Sequence, residues 1–379
     1  MAPGEPQAAY LERSEVSSWE SATITTRRFR LVGLPQRIVF GAGCLTELSA
    51  ELEQLSLQRV LLIASRSARH IADDVAVHLG PQVAGRFNEV RQHVPEALAA
   101  KASGLAADVD ADGVVTIGGG SATGLGKAVA LATALPLVAV PTTYAGSEAT
   151  PIYGVTGEHK RTGRDDRVLP RLVMYDAQLT VSMPAAVTAT SGFNALAHCV
   201  EALYAPGANP VTSLSAEEGV RVLARALPQA VKRPDDLTAR SDALYGAYLA
   251  GSALAVAGSA LHHTLCHVLG GSYGLGHGDV HTVLLPYVAA YNADSAPEAM
   301  RIVARALGSE DAASGLRDLA ETLQAPTSLS ALGMLERGVD DVAQRAVAAI
   351  GNRNPRPVDV ASVRRLLADA FAGLRPGAT

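Results

Sequence analysis

The chain has 379 residues, 48% of them hydrophobic and 18% charged, which fits a globular protein and excludes the disordered and fibrous classes. Thirty-seven acids against 32 bases leave a net charge of -5, so there is no basic footprint for nucleic acid or an anionic membrane. Three cysteines, Cys44, Cys199 and Cys266, make neither a disulfide framework nor a zinc pair, which points to a reducing cytoplasm.

Residues 1–28 are polar and aperiodic, carry several acids and have no apolar stretch of signal-peptide length; they read as a flexible tail. From residue 29 to 183, short apolar runs alternate with helical patterns. RIVFGAG, RVLLIAS, GVVTIGGGS, LPLVAVPTT and LVMYD read as buried strands, and CLTELSAELEQL and GLGKAVALATA as helices between them. Such alternation predicts an α/β domain built on a parallel, doubly wound sheet. The uncharged run at 128–147 is broken by two prolines and reads as helix, strand and loop, not as a membrane span. After VSMPAAVT, from 184 to 379, Ala- and Leu-rich segments of helical period follow one another and predict an all-helical second domain.

Within the first domain, IGGGSATGLGKAVAL (117–131) follows a strand and opens a helix. Gly118, Gly119 and Gly120 let a backbone approach phosphate oxygens, and Ser121 stands where the helix offers unpaired N–H groups. The run matches neither GxGxxG nor a P-loop. A second loop, VPTTYAGSEATP (140–151), brings Thr142, Thr143 and Tyr144 to the carboxyl end of another strand, where ligands sit in open α/β sheets. Together they read as a dinucleotide cradle, with tight packing as the alternative. After the second strand, SRSAR sets Ser65, Arg66 and Arg69 where many NAD enzymes carry an acid, which leaves NADH and NADPH both open. HKRTGRDDRVLPR (159–171) gathers Lys160, Arg161, Arg164, Arg167 and Arg171. It is either a grip for a carboxylate substrate or a solvated loop.

The second domain opens with SGFNALAHCVEALY (191–204), whose Asn194 and His198 share a helical face. LHHTLCHVLGGSYGLGHGDVH (261–281) holds five of the ten histidines: His262, His263 and His267, then His277 and His281 beyond a Gly-rich turn. The spacing can bring three or four of these side chains into one pocket beside the sheet edge. Asn194 offers a neutral amide where a metal site wants an acid, so the imidazoles are expected to act as hydrogen-bond donors and proton carriers. Cys199 and Cys266 read as buried small hydrophobes.

These residues carry a resemblance to the iron-containing alcohol dehydrogenase superfamily, and within it to the maleylacetate reductase subfamily. FGAG, GGGSATGLGKA, PTTYAGSEATPIYGVT, KRTGRDDRVLPRLVMYD, SGFNALAHCVEALYA, LHHTLCHVLGG and NPRPV resemble that subfamily's motifs over residues 30–375. The resemblance implies a dinucleotide-binding α/β domain, a helical catalytic domain, an active site between them, and a homodimer. In metal-dependent members the ligands fall at the positions of Asn194, His198, His263 and His277; the subfamily carries Asn at the first and works without metal. It implies NADH- or NADPH-dependent reduction of the double bond of maleylacetate, a dicarboxylate, to 3-oxoadipate in aromatic compound degradation, with no metal. His263 and His277 then serve as donor and proton source, Asn194 and His198 orient the substrate, and Tyr144 is a further donor. Lys160, Arg164 and His267 meet the substrate, while Ser65, Gly118, Gly119, Gly120, Ser121, Thr142 and Thr143 hold the cofactor. One departure is GHGDVH (276–281) where the subfamily reads PHAETH; Asp279 keeps an acid nearby. A metal-dependent alcohol or aldehyde oxidoreductase, or a biosynthetic homologue acting on another carbonyl or enone, is the alternative.

Overall fold

The computed structural model describes residues 29–157 and 160–377; the expected tail at 1–28 lies outside them. Six strands form one parallel sheet: β1 (Arg37–Phe40), β2 (Val60–Ala64), β3 (Val83–Phe87), β4 (Gly113–Gly118), β5 (Leu137–Pro141) and, after a hairpin, β8 (Leu172–Tyr175). The hairpin pairs β6 (Ile152–Thr156) with β7 (Lys160–Arg164) antiparallel. Strand order in the sheet is β1-β8-β5-β4-β2-β3.

All residues of β2, β4, β5 and β8 are buried, as expected of strands covered on both faces, and their sequences are accordingly near-continuous apolar runs. Side chains alternate across the sheet. Leu62 and Ala64 pack with helices α1 (Leu48–Gln54) and α2 (Arg69–Leu79) on one face. Leu61 and Ile63 pack with α3 (Glu96–Asp108) and α4 (Gly120–Thr133) on the other. Strand order reverses between β2 and β4, because β3 lies on one side of β2 and β4, β5 and β8 on the other. The carboxyl ends of β2 and β4 therefore border the crevice where such sheets bind ligands.

From residue 185 the described chain is helical: α5 (Ala185–Ala202), α6 (Pro210–Lys232), α7 (Leu237–Ala257), α8 (Leu261–Tyr273), α9 (His277–Asn292), α10 (Pro297–Leu307), α11 (Ala312–Thr322), α12 (Gly338–Ile350) and α13 (Val360–Ala372). The stretch ALYGAYLAGSALAVAGSALHHTLCHVLGG forms two helices, with a 103° bend between α7 and α8. Gly258, at φ +81, ends α7 in a conformation that only glycine adopts cheaply. Among the described residues no single helix is long and apolar enough to cross a membrane. Sheet and helices belong to one compact unit that starts at Leu31.

Candidate active site

The turn from β4 into α4 shows why it is built of glycine. Gly118 has φ +149, and a Cβ there would lie 2.7 Å from Ser65 Oγ and 2.9 Å from Ala122 Cβ. A Cβ on Gly119 would meet Thr143 Cγ2 at 2.9 Å, and one on Gly120 would meet Ala145 Cβ at 3.3 Å. The backbone amide of Thr142 donates to the Gly118 carbonyl at 3.0 Å. Ser65, the three glycines, Thr142 and Thr143 are thus gathered at the crevice, with Ser121 one residue into α4. No side chain caps α4, so the amides of Gly120 and Ser121 are available to an anion, while those of Ala122 and Thr123 donate to the Gly119 carbonyl. This cradle fits the pyrophosphate of a dinucleotide. Gly118→Ala should weaken dinucleotide affinity by about 10- to 100-fold through clash and backbone strain; nicotinamide fluorescence titration checks it, and an affinity within about twofold of the unchanged chain would remove the turn from the cradle.

The loop after β5 is fastened from below by a residue the sequence reading passed over. Lys127, fully buried on α4, sends Nζ to the carbonyls of Ser147 (2.6 Å), Thr150 (2.8 Å) and Ile152 (2.7 Å). Burial draws its ammonium down to about 7 against the pull of Glu148. Burial also raises the Glu148 carboxyl, which accepts from the Tyr175 hydroxyl at 3.1 Å. The upper side of the loop touches the helical lobe. A Cβ on Gly251 of α7 would sit 2.4 Å from the Gly146 carbonyl oxygen, and a Cβ on Gly146, at φ +71, would sit 2.9 Å from His198 Nδ1.

Three helices deliver the histidines: α5 carries Asn194 and His198, α8 carries His262, His263 and His267, and α9 carries His277 and His281. His198 and His263 stack with centroids 5.1 Å apart, His263 and His281 lie at 4.9 Å, His277 and His281 at 4.4 Å, and His267 and His277 at 6.3 Å. His262 and His281 share a hydrogen bond of 2.8 Å, and His281 and His277 one of 3.2 Å. Burial, reinforced by neighbouring imidazoles, holds His198, His262 and His281 well below the usual 6.5, so these rings are neutral at pH 7. Asn194 Nδ2 donates to the Ala145 carbonyl at 3.0 Å, and Asn194 Oδ1, His198 Nδ1 and His263 Nε2 are buried without a hydrogen-bond partner.

Glu201 is the carboxylate joined to this cluster, and sequence reasoning missed it. It lies three residues after His198 on α5, fully buried, with Oε2 2.5 Å from His263 Nδ1. Its spacing from Asn194 and His198 on one helical face was the available signal. Asp279 does not join the cluster: its carboxylate turns back against Gly276 at the start of α9.

Two expected site residues sit elsewhere. The fully buried Tyr144 hydroxyl is taken by the Arg240 guanidinium at 3.3 Å, which also donates to Thr188 Oγ1 and the Met183 carbonyl. Arg164 donates to the Ala255 carbonyl at 2.6 Å, binding the negative end of α7 where a substrate grip was expected. Arg161 pairs with Glu96 and Arg167 with Asp165, so the guanidiniums of Arg161, Arg164 and Arg167 each have a protein partner. Lys160 opens β7, and its side chain lies outside what is described.

At the positions where metal-dependent members carry ligands, the donors here are one amide oxygen and imidazoles, all without negative charge, while the Glu201 carboxylate is bound to His263. That set keeps imidazole donors but lacks the acid that would strengthen a divalent site at the first position. His262, Cys266 and His281 bring donor atoms within 4.8 Å of one another, but the two rings are already hydrogen-bonded.

A sequence model described as iron-containing alcohol dehydrogenase matches residues 35–177, and one described as the Fe-containing alcohol dehydrogenase family, C-terminal, matches residues 188–371. A maleylacetate reductase of Burkholderia cepacia is 49% identical over 341 residues, 90% of this chain and 97% of that protein. One from Sphingobium indicum is 47% identical over 346 residues, with the same two coverages of 90% and 97%. The crystal structure of maleylacetate reductase from Agrobacterium tumefaciens superposes with a TM-score of 0.88 at 43% identity, covering 93% of this chain and 100% of that one.

Proposed function

The chain belongs to the iron-containing alcohol dehydrogenase family, and on that footing we propose that it reduces the double bond of maleylacetate to 3-oxoadipate with NADH or NADPH and no catalytic metal. The observation that carries this reading is the donor set beside the dinucleotide cradle. It consists of an amide and imidazoles, with Asn194 at the position where metal-dependent relatives carry an acid.

Ser65, Gly118, Gly119, Gly120, Ser121, Thr142 and Thr143 would hold a nicotinamide dinucleotide, which when bound would supply a hydride to the carbon β to the ketone. Negative charge then gathers on the ketone oxygen as an enolate spread over a conjugated system. Preorganised donors stabilise such an oxygen by about 3 to 4 kcal/mol each. His263, whose Nε2 has no protein partner, is the proposed donor, and His277 the proposed source of the proton for the adjacent carbon. Asn194, fixed through its amide to Ala145, and the neutral His198 orient the substrate. His267, half-buried beside His277, meets a carboxylate. With Ser65 and no acid after β2, both nicotinamide cofactors are admitted. We further propose a cytoplasmic homodimer serving aromatic compound breakdown.

Protein treated with a chelator should oxidise NADH or NADPH with freshly generated maleylacetate at an undiminished rate. A rate that returns only with added metal would overturn the metal-free reading. Absence of turnover in every condition would overturn the substrate.

A further inference from the structure

Glu201 has no exposure to solvent, and its carboxylate accepts three hydrogen bonds. Oε2 accepts from His263 Nδ1 (2.5 Å) and the Ala260 amide (3.0 Å), and Oε1 accepts from the His262 amide (2.7 Å). The two amides lie at the start of α8, whose N-cap residue, Ala260, has no side chain able to cap it. Glu201 therefore caps α8 from a different helix and fixes the turn on which His263 stands. A carboxylate only accepts, so the Nδ1 of His263 must carry hydrogen, which leaves Nε2 as the nitrogen available to a reactant.

We propose that Glu201 is the positioning residue of this site: it holds His263 in one orientation with Nδ1–H toward the carboxylate, so that Nε2 is aimed at the ketone oxygen. The proposal rests on the reductase reading above. With Nδ1–H committed, Nε2 donates while the ring carries both protons, and the carboxylate 2.5 Å away is the anion that accompanies this cation in a dry site.

The test is a double-mutant cycle between Glu201 and His263, read by maleylacetate-dependent oxidation of the nicotinamide and by dinucleotide binding. Wild-type turnover is measured first; its absence would overturn the reductase reading and this proposal with it. Given wild-type turnover, Glu201→Gln, isosteric but uncharged, should lower kcat about 100-fold, with KM and dinucleotide affinity within about threefold of wild type. Glu201→Asp keeps the charge at a longer reach and should recover about tenfold of that loss. On a His263→Gln background, Glu201→Gln should cost less than about threefold more, because the two act as one unit. A Glu201→Gln enzyme with wild-type kcat would overturn the proposal alone, and so would a full additional loss on the His263→Gln background, which marks a purely structural carboxylate. Should Glu201→Gln lose dinucleotide binding, the cycle is run with Glu201→Asp, and additivity there overturns the proposal equally.

Discussion

Replacing His263 by alanine should lower kcat for maleylacetate about 100-fold or more. Two losses combine. The ketone oxygen loses its donor, worth about 3 kcal/mol in the transition state and little in the ground state, so kcat falls while KM changes little. The Glu201 carboxylate also loses one of its three hydrogen bonds in a site with no solvent, which disturbs the cap of α8 and the neighbouring His262. Steady-state kinetics with a parallel dinucleotide titration separates the two: the cradle lies on β4 and α4, so cofactor affinity should persist. A variant with kcat within about threefold of wild type would remove His263 from the chemistry.

A comparably large effect is expected on stability as the pH falls. His198, His262 and His281 are held neutral in the fold, well below the 6.5 at which they titrate once unfolded. Below pH 6.5 the unfolded chain therefore binds protons that the folded chain refuses, and stability drops as pH decreases through that window. Each group contributes about 1.4 kcal/mol one pH unit below its unfolded value, so the three contribute about 4 kcal/mol at pH 5.5. Glu148, raised by burial, works in the opposite direction, since the folded chain retains its proton at a pH where the unfolded chain has lost it. Over the two pH units from 7.5 to 5.5 it offsets at most about 2.7 kcal/mol, so the net loss is at least about 1.3 kcal/mol against an ordinary domain's 5 to 15 kcal/mol. Urea midpoints measured from pH 7.5 to 5.5 check this, and a flat profile would show that the imidazoles reach water in the folded state.

Much of this architecture was legible in the sequence because buried parallel strands leave continuous apolar runs: VLLIA, GVVTIG, LVAVP and LVMY appear as β2, β4, β5 and β8. β3 was not, since it is an edge strand whose VAGRF is mostly half-exposed and contains a glycine and an arginine. The β6–β7 hairpin was not either, because KRTGR has the composition of a solvated loop and becomes a strand by pairing residue for residue with IYGVT. The imidazole cluster was legible from number and helical spacing, both local properties. Glu201 escaped because its partners are 59 to 62 residues away along the chain: its spacing on α5 places it on the face of Asn194 and His198 but does not name what it caps. The same limit applies to Tyr144 and Arg164: their residue types suit a site, but Arg240 and the end of α7 are what they meet.

The contact between Gly251 and the Gly146 carbonyl, with Gly146 itself against His198, leaves no room for even one methyl group. The two halves of the chain are consequently not interchangeable cassettes. A crossover near residue 183 would splice the backbone of one homologue's sheet to another's helices without difficulty, but the product inherits a working site only when both parents have kept this seam free of side chains. Diversification of the dinucleotide half and of the helical half is tied together at that point, and shuffled libraries of such sequences should be drawn around it.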